Sequence, residues 1–130
     1  MTKEYVDRET DDERDSSVYR EELPIVYLDL EHDFDEPTVA AHEMLYRVAT
    51  VFGNGGGVIK LTHPESEPFR LAIRREIRSL KKRGKLRCYV FGENFYAASD
   101  TVRYMCDKCP ELSDDADMGK GKRNIALLCI

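Results

Sequence analysis

The 130-residue chain has no tryptophan, only three histidines, and no apolar run near the roughly 20 residues that a membrane-spanning helix requires. A membrane protein is therefore excluded as an expectation. The opening stretch, MTKEYVDRETDDERD, is acidic where a secretory or transit signal is basic or apolar, so the expected location is intracellular, in the cytoplasm or the nucleoid or nucleus. What is present suffices for one compact domain: 42% of residues are hydrophobic and 35% are charged. No internal repeat is visible.

The formal net charge of −5 conceals two opposed blocks. Residues 1–36 hold fourteen acidic side chains against four basic ones, a local balance of −10. Residues 70–87 hold nine basic side chains, Arg70, Arg74, Arg75, Arg78, Lys81, Lys82, Arg83, Lys85 and Arg87, against Glu76 alone, a local balance of +8. Such density is suited to neutralising phosphates, whose displaced counterions make affinity fall with salt. The structural alternative is a solvated amphipathic face.

Along the chain, residues 1–22 lack a sustained apolar period and read as a disordered acidic arm. Residues 23–112 read as a single α+β domain, 113–124 as a flexible loop and 125–130 as a C-terminal strand. Val26, Leu28 and Leu30 share one face of a first strand over residues 24–30. Asp35 then caps a helix whose buried stripe is Ala41, Leu45, Val48 and Phe52. Gly53–Gly57 stops that helix and leads to a second strand, Val58–Thr62. Ser66 caps a second helix with Phe69, Ile73, Ile77 and Leu80 inward, and Gly84 ends it. Arg87–Phe91 and Asn94–Ala98 read as two strands of a hairpin turning at Gly92-Glu93, a pair suited to a type II′ turn. Tyr89, Phe91, Phe95 and Tyr96 would alternate across it, two inward and two outward, the outward pair able to stack on bases or pair across strands. Thr101–Met105 is ambiguous. The fold class is α+β, a small mixed sheet with two helices and a C-terminal β-hairpin.

From Ala72 to Leu86, continuing through the hairpin to Tyr96, the chain resembles the winged-helix family, in which a recognition helix with a "leucine, basic, basic, glycine" ending runs into a two-stranded wing. The resemblance covers about 30 residues, within 66–99. It implies that Arg70, Arg74, Arg75 and Arg78 face the groove, with Lys81, Lys82, Arg83, Lys85 and Arg87 near backbone phosphates. The chain departs from the family upstream, because LTHPES is too short to hold the helix that normally precedes the recognition helix.

Other constellations carry less. Cys106 and Cys109 have zinc-ligand spacing, but the second pair must come from Cys88, Cys129 or His63, which are scattered. Cys88 and Cys129 read instead as small core residues, and no metal or cofactor is expected. Asp29, Glu31, Asp33 and Asp35, with His32 among them, fall on one side of an extended strand, a geometry for magnesium. No positioned base accompanies them, so an enzyme is not expected. The glycines at 53–57 follow a helix and precede a strand, the reverse of a phosphate cradle, and read as a turn. His42 and His63 each read as surface or capped residues.

Two functional expectations remain open. The first is a small non-enzymatic regulator, of the transcription-regulating kind, whose basic helix and hairpin contact duplex DNA, with the acidic arm competing for the basic helix. The second is a protein-interaction module, such as a viral or phage-type accessory inhibitor, whose acidic arm engages a host protein complex.

Overall fold

The computed structural model describes residues 22–130. The expected arm at 1–22 lies, apart from Glu22, outside the described residues. The α+β class and the mixed sheet hold. In chain order the elements are β1 (Ile25–Asp29), α1 (Pro37–Gly53), β2 (Val58–Thr62), α2 (Glu67–Lys82), β3 (Cys88–Phe91), a 3-10 turn (Gly92–Asn94), α3 (Asp100–Lys108), a second 3-10 turn (Pro110–Asp114) and β4 (Ile125–Cys129).

The four strands form one sheet in the order β1-β2-β4-β3. β1 and β2 run parallel, as an intervening helix requires, and β4 is antiparallel to both β2 and β3. β3 is therefore parallel to β1 and β2, and the last strand is inserted between strands that precede it. Composition explains that position. Ile125, Ala126, Leu127, Leu128 and Cys129 are all buried, so this strand must be covered on both faces and both edges, which only the interior of a sheet with layers on both sides supplies.

Strand alternation divides the core in two. Leu28, Ile59, Leu61, Phe91, Ala126 and Leu128 face α1 and α2, meeting Met44, Val48, Ile73 and Ile77. Val58, Val90, Ile125, Leu127 and Cys129 face the other way, under Val102 and Met105 of α3, Phe95 and Leu112. A third helix thus covers a face that the sequence had left without one. The β1 end of that face stays open, with Tyr27 exposed.

Several local expectations need correction. The inner stripe of α1 is Ala41, Met44, Val48 and Val51, while Phe52 is 70% exposed. The helix continues to Gly53 in a phase that hands the inward place to Val51. Its N-cap is Glu36, with Pro37 opening the helix, rather than Asp35. The N-cap of α2 is Ser66 as expected, although its hydroxyl makes no capping bond, and Gly84 adopts a φ of 75° just past the helix end.

The hairpin at Gly92-Glu93 does not form. Gly92 is not among the glycines with positive φ, which the first turn position of type II′ requires, and residues 92–94 make a 3-10 turn. Asn94–Ala98 is not a strand; β3 pairs with β4 instead. Phe95 turns inward and is 1% exposed, and Ser99 caps α3 by accepting from the Val102 N–H at 3.3 Å. The aromatic alternation goes with the hairpin: Tyr89 and Phe91 lie on one face with ring centroids 5.2 Å apart.

Residues 113–124, expected to be flexible, are tied to the sheet. The Lys60 ammonium, 11% exposed, donates to Asp115 at 2.8 and 3.0 Å and to Asp117 at 2.6 Å, and Asp117 also pairs with Lys122 at 2.8 Å. Burial works against the Lys60 charge, but the two carboxylates outweigh it and hold its pKa above the ordinary lysine value. Lys60→Met would leave two partly buried carboxylates facing each other and is expected to cost about 2–3 kcal/mol. A urea midpoint equal to that of the wild type would show that the loop does not depend on this anchor.

Candidate nucleic-acid interface

The nine basic residues at 70–87 divide into an engaged set and an open set. Arg74 is 9% exposed and belongs to the fold. Its two terminal nitrogens donate to the two Glu93 oxygens at 2.7 and 2.6 Å, one of them also reaches the Arg123 carbonyl at 3.2 Å, and its guanidinium lies 4.2 Å from the Phe91 ring centroid. This bond to Arg74 holds the Glu93 carboxyl below its ordinary pKa. The Arg74 Nε is buried without a partner. Arg70 is mostly buried and lies 3.8 Å from Glu67, and Arg87 is engaged in an interaction of its own. The expected groove-facing role of Arg74 therefore does not fit this structure, because its side chain is drawn over Phe91 to Glu93, while Arg70 is paired with Glu67 of its own helix.

Arg75, Arg78, Lys81, Lys82, Arg83 and Lys85 are all exposed, and none has a carboxylate partner among the described residues. Helical spacing aligns Arg75, Arg78 and Lys82 with Leu71 and Ser79 along one shallow outer depression. Leu71 is 55% exposed at its head. The Arg78 guanidinium lies 5.3 Å from the Phe91 ring centroid, which orients it without neutralising it. Lys81 and Lys82 occupy the last turn of α2, where the helix dipole favours cations.

Three more cationic residues lie together where the sequence showed only a loop. Lys120, Lys122 and Arg123 share a depression with Arg70 and Glu65 beside the first turn of α2. The GKGKR run was the available signal, but the neighbourhood depends on the placement of β4 and on the Lys60 anchor.

Among the described residues, one small group of the remaining candidates comes together. Asp29, Glu31 and His32 come within metal-ligand distance of one another, all exposed. Asp33 and Asp35 are not part of the group, because β1 ends at Asp29 and strand alternation stops there. Both Asp29 oxygens order the turn: one accepts from the Glu31 N–H at 2.7 Å, the other meets His32 Nδ1 at 2.6 Å. That contact lowers the Asp29 pKa and raises that of His32. The four thiols do not form a three-ligand set with each other or with His63 among the described residues. Cys109 is buried in the α3 core, which pushes its pKa up. His63 is buried, not on the surface, with Nδ1 2.9 Å from the Pro64 carbonyl, and burial pushes its pKa down. The glycine run at 53–57 is a turn as expected, its N–H groups at Gly55, Gly56 and Gly57 all used by backbone carbonyls. No helix among the described residues is long and apolar enough to cross a membrane. No protein-family model, curated protein or solved structure matches the chain.

Proposed function

We propose that this protein is a small non-enzymatic nucleic-acid-binding protein, with a regulatory role, that docks on the phosphate backbone of duplex DNA through the outer face of α2. The observation that carries the reading is the open cation set, Arg75, Arg78, Lys81, Lys82, Arg83 and Lys85, exposed on α2 and the turn after it and without intramolecular carboxylates among the described residues. In a chain with an excess of acids, six such side chains on one helix and its following turn are a concentrated positive surface. The rigid core beneath them, Ile73, Ile77 and Leu80, fixes their spacing so that little ordering remains to be done on binding. Without the second strand of a wing, the contact is expected to be mainly with phosphates, hence weakly selective for sequence.

The test is binding of the full chain to a random duplex across a salt series. Six phosphate contacts predict a log–log slope of about −5, a loss of roughly a thousandfold in affinity between 50 and 200 mM salt. Arg75→Gln, Arg78→Gln and Lys82→Gln together should reduce the slope to about −3 while leaving the far-ultraviolet circular dichroism unchanged. Arg74 is unsuitable as a probe because it holds the fold together. Absence of binding at low salt, or a slope unmoved by the triple substitution, removes the reading.

A further inference from the structure

We infer that Cys88 and Cys129 are an intramolecular dithiol that small-molecule disulfides convert to a cross-strand disulfide, with Cys88 as the attacking thiol and Cys129 as the resolving one. The two residues are direct register partners in the β3–β4 ladder. Opposed residues of an antiparallel pair have Cα atoms about 4.5 or 5.5 Å apart, both inside the window of roughly 4.4–6.8 Å that disulfides occupy. Both side chains emerge on the α3 side of the sheet, and the backbones are close here, with the Arg87 N–H donating to the Cys129 carbonyl at 2.7 Å. β3 is an edge strand, held on one side by β4 alone, so it can adjust to the bond.

Exposure orders the two steps. Cys88 is half-buried and Cys129 is fully buried, so only Cys88 meets an oxidant directly. A hydrogen bond with the Cys129 thiol, together with the nearby Lys81 and Arg87 charges, favours the Cys88 thiolate. The Cys88 thiolate attacks one sulfur of oxidised glutathione and expels a glutathione thiolate, leaving a mixed disulfide. The Cys129 thiol then gives up its proton, and its sulfur attacks the Cys88 sulfur and expels the second glutathione. Two protein thiols lose two electrons and two protons, and one disulfide is reduced to two thiols.

The experiment is incubation of the reduced full chain with a graded ratio of oxidised to reduced glutathione, followed by acid quench, alkylation, proteolysis and mass spectrometry. The expected product is monomer lighter by two hydrogens, with one cross-linked peptide pair joining Cys88 to Cys129. Cys129→Ser, and Cys129→Ala as a second choice for a buried site, should stop at a glutathione adduct on Cys88. Cys88→Ser should leave Cys129 unmodified while the chain remains folded. The inference is overturned if the wild type accumulates only mixed disulfides, if the cross-link maps to Cys106 and Cys109, or if Cys88 is no more readily modified than Cys106.

Discussion

Gly92→Ala is expected to cost at least about 3 kcal/mol and to leave little folded protein at physiological temperature. An alanine Cβ at this position would fall on the carbonyl oxygen of Lys122 and lie 2.6 Å from Cγ1 of Ile125. The first obstacle is backbone, which no side-chain rotation removes, so either the segment that enters β4 or the turn that leaves β3 must move. That movement would disturb β4, which contributes to both cores. The magnitude also separates this structure from the hairpin expected at Gly92-Glu93. A glycine there would be needed for its positive φ, and alanine would cost only about 1–2 kcal/mol of backbone strain. Urea unfolding of the single variant measures the difference, and a loss under 2 kcal/mol would mean that residues 122–125 do not pack against Gly92.

Glu93→Gln is expected to cost about 3 kcal/mol. It removes the charge that compensates Arg74, whose guanidinium is buried and whose Nε already lacks a partner. The value is set toward the low end for breaking a buried pair because the Glu93 side chain is 33% exposed. Arg74→Met combined with Glu93→Gln should recover part of that loss, since an apolar side chain over Phe91 leaves no buried charge. A double variant as unstable as the sum of the single ones would show that the pair is not coupled. The pair also sets an acid limit. The folded-state pKa of Glu93 lies below its unfolded value, so the unfolded chain takes up a proton first as pH falls. The stabilisation is therefore complete above roughly pH 5 and is lost as the pH drops through the folded-state pKa. Asp117, held low by Lys122 and Lys60, acts in the same direction. Glu93→Gln should flatten the stability profile below about pH 5 relative to wild type, and an unchanged profile would assign the acid sensitivity elsewhere.

The division within the basic segment shows why the candidate site was only partly legible. Ile73, Ile77 and Leu80 identify the inward stripe of α2 from spacing alone, and Arg75 and Arg78 project away from it. Arg74 and Arg70 stand on the border of that stripe, where periodicity does not decide between core and solvent. The environment of Arg74 is decided by partners distant in sequence, Glu93 nineteen residues away and Arg123 forty-nine, whereas Arg70 pairs with Glu67 of its own helix. Lys120 and Arg123 join this neighbourhood for the same reason. Charge counting found the cations, and the fold selected which of them remain open.

By itself the sequence determined the first strand and both long helices, with the stripe of α2, because burial on one face enforces a repeat of a few residues, and it determined the second and final strands because each is a short, mainly apolar run. Which strand β3 would pair with was a tertiary decision. Gly-Glu chemistry favours a local hairpin, but Gly92 packs directly beneath the Lys122 backbone and Phe95 is drawn into the core under α3, so the chain turns away from β3 and leaves its outer edge unpaired among the described residues. The wholly apolar Ile125–Cys129 is buried between β2 and β3, which removes its apolar side chains from water on both faces. The same choice brings Gly92 under Lys122, Glu93 to Arg74 and Cys88 to Cys129, three contacts between chain segments that no local pattern connects.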